Sequence, residues 1–106
     1  MASGILGASD LSAATNTTVY TVPANTYSVV SVNMCNRGST DAAVRIALAA
    51  ADTPTNAEYI EFNSSVFANN VIERTGIVLA AGQKVVVYST SASTSAVVYG
   101  IETSTA

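Results

Sequence analysis

Short runs of strand-forming residues, rich in Val, Ile, Thr and Tyr, recur roughly every ten to fifteen positions along this chain. Clusters of Pro, Gly, Asn, Asp and Ser separate the runs and supply residues typical of turns. The sequence shows little helical signal, and no crossover helix is available to connect parallel strands. The pattern therefore predicts an all-β protein, a single antiparallel β-sandwich with either an Ig-like or a jelly-roll-like topology.

The chain divides into an N-terminal arm, a sandwich domain and a short tail. Residues 1–16 are rich in Ala, Ser and Gly with little apolar periodicity, so we expect an arm that is loose unless a neighbouring molecule orders it. Residues 17–102 hold about seven strand-like runs and form the sandwich domain. Residues 103–106 form the C-terminal tail.

Two consecutive runs alternate between inward and outward positions and are joined by the short turn segment 36–41. Val30 and Val32 share one face of the first run, and Val44 and Ile46 share one face of the second. A short turn between two alternating flanks is typical of a β-hairpin. We therefore expect these two runs to pair with each other.

The run 58–63 also alternates, with apolar side chains at every second position. Because successive side chains of a strand point to opposite faces, we expect Ile60 and Phe62 to face the core. Tyr59 and Glu61 would then face outward.

The chain carries few groups that catalyse reactions or bind metals. Charged residues make up 10% of the sequence, and His and Trp are absent. Without His there is no Ser–His–Asp triad, and with Cys35 as the single Cys there is no intramolecular disulfide and no CxxC pair. The acids lack calcium-loop spacing, and Glu58 and Glu61 fall on opposite faces of one run. We therefore expect neither an enzyme nor a bound metal or cofactor.

The low charge also bears on the partners of the protein. The net charge of −3 argues against nucleic-acid binding, and no apolar stretch is long enough to predict a membrane helix. No signal peptide is recognisable, so we expect synthesis and folding in a reducing cytoplasm. Since 49% of the residues are hydrophobic and few charges protect the surface, we expect the copies to be held in an assembly.

Five segments carry a resemblance to a known family: TTVYTVP (17–23), VSVNMCNRGST (30–40), AEYIEF (57–62), NVIERTGIVL (70–79) and AGQKVVV (81–87). They resemble the small virion structural proteins of tailed bacteriophages, especially cyanophages, across residues 17–102. The resemblance implies a β-sandwich component of the virion that is made in the host cytoplasm and has no catalytic residues. Proteins of this kind serve as capsid decoration (cement) proteins or as tail or fibre adaptors, and of these we expect a decoration protein on the head surface.

Such a decoration protein would be a homo-oligomer, for which we expect a trimer, and would bridge subunits of the major capsid protein or other virion proteins. The alternative is a tail- or fibre-associated adaptor or a glycan-binding module, with Tyr20, Tyr88 and Tyr99 as its platform. The interface residues that we expect come from the arm, the loops and the outward strand faces: Ile5, Leu6, Leu11, Arg37, Asp41, Arg45, Thr53 and Tyr59.

Overall fold

The computed structural model describes residues 3–105, which form eight β-strands and one 3₁₀ turn. The strands are β1 (Ser3–Asp10), β2 (Thr17–Thr21), β3 (Thr26–Asn36), β4 (Ala42–Ala49), β5 (Tyr59–Val66), β6 (Val71–Leu79), β7 (Lys84–Ser89) and β8 (Thr94–Ser104). The 3₁₀ turn, Asn56–Glu58, precedes β5. Sheet I has the order β1-β8-β3-β6 and sheet II the order β2-β7-β4-β5. The predicted all-β sandwich is confirmed.

The strands pair from the two ends of the chain inward, always antiparallel. β1 pairs with β8, β2 with β7, β3 with β6, and β4 with β5. Two more pairs, β3 with β8 and β4 with β7, join these into the two sheets. This nested order is that of an eight-stranded jelly roll, which decides between the two topologies that the sequence leaves open.

The core lies between the sheets and is built from the inward face of each. The alternation predicted for β3 and for the first half of β4 is confirmed, because Val30, Val32, Val44 and Ile46 are all buried. Together with them, the main cluster contains the following residues: Leu11, Tyr20, Val22, Met34, Val66, Ile77, Leu79, Val85, Val87, Ala96 and Val98.

The hairpin predicted across segment 36–41 is wrong, because β3 lies in sheet I and β4 in sheet II. The chain crosses between the sheets here, and the buried side chain of Asn36 holds the crossing. Its amide nitrogen donates to the carbonyls of Thr40 (2.8 Å) and Val66 (3.0 Å), and its amide oxygen accepts from the Gly38 backbone (2.9 Å). Alternation shows which face of a strand is buried but not which strand lies beside it, so it fits a crossing as well as a hairpin.

The prediction of a separate arm is also wrong for β1, which is the edge strand of sheet I. Leu6 packs against the core, and Leu11, just after the strand, is buried within it. The strand lacks a clear alternation because its register shifts between Ile5 and Gly7. An added Cβ at Gly7 would lie 2.2 Å from the Val19 carbonyl oxygen, so glycine is needed where β1 passes β2. Local pattern therefore missed a strand that tertiary contacts stabilise.

The C-terminal strand is longer than expected, since β8 continues past residue 102 to Ser104. The Thr105 backbone then donates to the Asn25 carbonyl at 2.9 Å. The remaining parts of the predicted arm and tail, residues 1, 2 and 106, lie outside the described residues.

Candidate interaction surfaces

The outer face of sheet I carries most of the exposed large hydrophobic side chains. The strand register places Val29 of β3 between Val78 of β6 and Ile101 of β8. These side chains are 37%, 67% and 50% exposed, respectively. Three neighbouring strands thus present one continuous line of apolar groups, which we call the apolar row.

Other apolar groups extend this row, while polar groups lie further along the sheet. Ile5 on β1 is 73% exposed, and the exposed Tyr27 lies on the same face of β3 as the row. In the opposite direction along the strands, the Tyr99 hydroxyl donates to the Glu73 carboxylate. This hydrogen bond raises the pKa of Tyr99, because the neighbouring carboxylate opposes a phenolate. Polar groups therefore follow the row in this direction, but exposed apolar side chains recur there at Ile5, opposite Tyr99, and at Val71, opposite Cys35.

The outer face of sheet II carries a different arrangement, centred on Arg45 of β4. Its Cζ lies 4.3 Å from the centroid of the Phe62 ring and 4.4 Å from that of the Tyr88 ring. Its Nε donates to the Asn63 side-chain oxygen at 2.8 Å. The Tyr59 ring meets the Phe62 ring nearly at a right angle, with centroids 5.0 Å apart. We call these five residues the Arg45 cluster.

Small side chains beneath Tyr59 make room for this cluster. Tyr59 packs against Ala47, Ala49 and Val86, which are buried in a second, smaller apolar cluster. The register of β4 brings Arg45 opposite Tyr88 of β7. Cation–π contact with two rings and a hydrogen bond at Nε together restrict the guanidinium to one orientation.

The orientation predicted for run 58–63 is confirmed for Tyr59, which lies on the outer face of sheet II, and is wrong for the three residues after it. Ile60 and Phe62 are exposed, whereas Glu61 lies on the side of β5 that faces sheet I and forms an ion pair with Arg74. Burial raises the pKa of Glu61, but hydrogen bonds from Ser64 and Arg74 outweigh it and hold this pKa below its usual value. Because β5 is an edge strand whose register with β4 shifts twice, simple alternation does not describe it.

The loop before β5 is closed by Glu58. Its carboxylate accepts hydrogen bonds from the backbone of Thr55 (2.8 Å) and Ala50 (3.0 Å). These two bonds lower the pKa of Glu58. The two carboxylates that the sequence placed near each other, Glu58 and Glu61, therefore have separate structural partners.

The structure brings together two of the predicted interface residues, Arg45 and Tyr59, within the Arg45 cluster. Ile5 lies on the outer face of sheet I, opposite Tyr99. Leu11 is only 3% exposed, which leaves little of its side chain for a partner, and Leu6 is partly buried against the core. Because this segment shows no clear periodicity, the sequence does not indicate that the side chains of Leu6 and Leu11 pack in or against the core.

The other predicted interface residues, Arg37, Asp41 and Thr53, lie in loops. Arg37 is ion-paired with Asp10, which ties the segment after β3 to the end of β1. The Asp41 carboxylate accepts a hydrogen bond of 3.1 Å from the Ala68 backbone. Thr53 is exposed in the loop after β4. Arg37 and Asp41 therefore already have partners within the chain, and any contact with another protein would come in addition to these.

The tyrosine platform suggested for a glycan-binding module is not formed. Tyr20 is buried in the core, Tyr88 lies on the outer face of sheet II, and Tyr99 lies on the outer face of sheet I. Sequence reasoning also missed the pairing of Phe62 and Tyr88 with Arg45. This contact follows from the pairing of β4 with β5 and β7, but no short stretch of the sequence indicates that these strands pair.

Residues 3–105 contain no group of three or more His, Cys, Asp or Glu side chains that could hold a metal ion, and no pocket. Within the same residues, no helix has the length and apolarity needed to cross a membrane. Comparison of the chain with protein-family models, with curated proteins and with solved structures finds no match.

Proposed function

We propose that this protein is a non-enzymatic structural protein of a bacteriophage virion, a decoration protein that binds the outer capsid and bridges its subunits. The observation that carries the proposal is the apolar row of Val29, Val78 and Ile101. Contiguous exposed apolar surface on a small domain is typical of an interaction site. The resemblance of the sequence to small virion proteins makes the capsid the partner to test.

The jelly-roll architecture is consistent with this proposal but is not sufficient to support it by itself. Jelly rolls occur in viral capsid proteins and in lectins, and one fold serves many functions. Exposed apolar groups on a sheet face suit a complementary surface of a partner, and each apolar side chain removed from water contributes about 1–2 kcal/mol. In a symmetric particle many copies would make this contact, so a modest contact per copy would add substantially to head stability.

The direct test is sedimentation of the purified full chain with capsids assembled from the major capsid protein of the same virus. We expect saturable binding and a higher temperature of capsid disruption when the protein is bound. Val78→Lys should abolish binding, because it places a charge in the apolar row. Phe67→Lys is the matched control, because Phe67 is 61% exposed but lies in the turn after β5.

Light scattering on the free protein gives a second measurement. We expect a trimer. If Val78→Lys remains a trimer but no longer binds capsids, the apolar row contacts the capsid and a different surface holds the trimer. Failure of the wild-type protein to sediment with capsids would contradict the proposal. Equal loss of binding in the Phe67→Lys control would show that the apolar row is not the contact.

A further inference from the structure

Arg45 differs from the other basic residues in having no carboxylate partner within residues 3–105. Arg37 is ion-paired with Asp10, Arg74 with Glu61, and Lys84 with Asp52. Arg45 instead uses its Nε to donate to Asn63, and no described residue accepts a hydrogen bond from its two Nη groups. A half-buried guanidinium with free donors is available to an anion from outside the chain.

The surroundings of Arg45 give those donors a defined direction. Phe62 and Tyr88 both contact the guanidinium through their rings, and Asn63 accepts from its edge. A planar guanidinium that is already held in place loses little freedom when it binds a carboxylate through two parallel hydrogen bonds. This geometry favours a planar carboxylate over a monatomic anion.

Three aromatic residues show what would lie beside that carboxylate. The Phe62 ring is 55% exposed and provides an apolar surface. The hydroxyls of Tyr59 and Tyr88 make no hydrogen bond to a described residue, so they are free to bond polar groups of a ligand. An apolar face combined with several hydroxyl-binding groups matches a sugar ring, which has apolar C–H faces and hydroxyls at its rim.

We propose that the Arg45 cluster binds an acidic sugar, with Arg45 bonding the carboxylate and Phe62, Tyr59 and Tyr88 contacting the ring. Nearby acids do not compete for Arg45. Glu61 lies on the opposite side of β5 with Arg74. The site is on sheet II, whereas the apolar row is on sheet I, so sugar binding does not depend on the proposed capsid contact.

The test is titration of the full chain with D-glucuronic acid, followed by calorimetry and by NMR of the Arg45 Nε–H group. We expect glucuronate to bind at least about tenfold more tightly than neutral D-glucose, because the charge-assisted pair with Arg45 is lost with glucose. N-acetylglycine provides a single carboxylate without a sugar ring and should also bind at least about tenfold more weakly than glucuronate.

Variants assign the effect to Arg45. Arg45→Met should abolish the preference for glucuronate over glucose, and Arg45→Lys should weaken glucuronate binding about tenfold, because an ammonium cannot form the parallel pair. Arg37→Met is the matched control, because it removes an arginine that pairs with Asp10 rather than with the cluster, and it should bind like the wild type. Circular dichroism identifies any variant that fails to fold. If Arg45→Met fails to fold, Arg45→Lys still tests whether the guanidinium binds the carboxylate.

Several results would overturn the proposal. Equal affinity for glucuronate and glucose would show that Arg45 takes no carboxylate. Equal affinity for N-acetylglycine and glucuronate would show a carboxylate site on which a peptide, rather than a sugar, is the ligand. Equal losses in Arg37→Met and Arg45→Met would show a general charge effect.

Discussion

Tyr20 of β2 and Glu102 of β8 lie on facing sheets, and the Tyr20 hydroxyl donates a hydrogen bond of 2.6 Å to the Glu102 carboxylate. The Ser28 hydroxyl of β3 lies 2.6 Å from the same phenol oxygen. Tyr20 therefore crosses the sandwich from sheet II and finds both of its partners on sheet I. It is a polar link between the sheets, as is the hydrogen bond of 2.9 Å between the buried hydroxyls of Ser89 and Thr94.

We expect Tyr20→Phe to lower the free energy of unfolding by about 1–2 kcal/mol, since the ring remains but Ser28 and Glu102 lose a buried partner. Urea denaturation measures the change. Tyr27→Phe is the control, because the Tyr27 ring is exposed and its hydroxyl bonds no described residue. An equal effect of both variants would mean that the link contributes nothing specific.

The same link predicts a dependence on alkaline pH. Burial, together with the hydrogen bond to Glu102, raises the pKa of Tyr20 to about 12. The unfolded chain, with a tyrosine pKa near 10, releases this proton first, so the unfolded state gains stability as pH rises from about 10 to about 12. The advantage of the wild type over Tyr20→Phe should therefore shrink across this range in denaturation curves. A constant difference would contradict the buried, neutral phenol.

The N-terminal segment should matter for folding as well as for any contact with a neighbour. Leu11→Ala removes a buried side chain and should cost about 2–4 kcal/mol of unfolding free energy. Ile5→Ala, in the adjoining strand, should change stability by less than about 0.5 kcal/mol because Ile5 is exposed. Thermal and urea unfolding of the two variants compare them directly. If Leu11→Ala were as stable as Ile5→Ala, the segment would not be part of the core.

Deletion of residues 1–12 follows the same reasoning. The deletion removes β1 and Leu11, so the remaining chain should unfold at a lower temperature in addition to any loss of capsid binding. A folded, fully stable deletion variant that no longer binds capsids would instead support a role for this segment in contact alone.

The crossing between the sheets depends on one buried amide. Asn36→Ala should lower the free energy of unfolding by about 2–4 kcal/mol, because it leaves the carbonyls of Thr40 and Val66 and the Gly38 N–H without their partner. Asn33→Ala, on the outer face of the same strand, should have little effect. Chemical denaturation measures both, and equal stability of the two variants would show that the crossing does not need the Asn36 side chain.

The features of this fold that the sequence predicts correctly are those set by a few consecutive residues. Alternation correctly placed Val30 and Val32 in the core. Their β-branched side chains favour a strand whichever strand lies beside it. Alternation failed at β5, where Phe62 is exposed and Glu61 is not. An edge strand with register shifts does not keep its two faces constant, and the partner strand sets those shifts.

The candidate sites were predictable only as separate residues. Arg45 and Tyr59 stood out as outward side chains, but the rings that hold the Arg45 guanidinium come from β5 and β7, which lie well beyond β4 in sequence. The apolar row likewise joins Val29, Val78 and Ile101 from three strands. Neither surface exists in any one segment, because each forms only when those strands pair.

The sequence by itself determined the all-β class, the inward face of the regular strands and the shortage of catalytic groups. These properties follow from the stereochemistry and polarity of individual side chains and their neighbours. Only the tertiary structure decided that β3 and β4 separate into two sheets, that β1 joins the core, and that Arg45 lies between two rings. Each of these depends on contacts between distant residues, whose free energies are summed over the whole chain and leave little trace in local pattern.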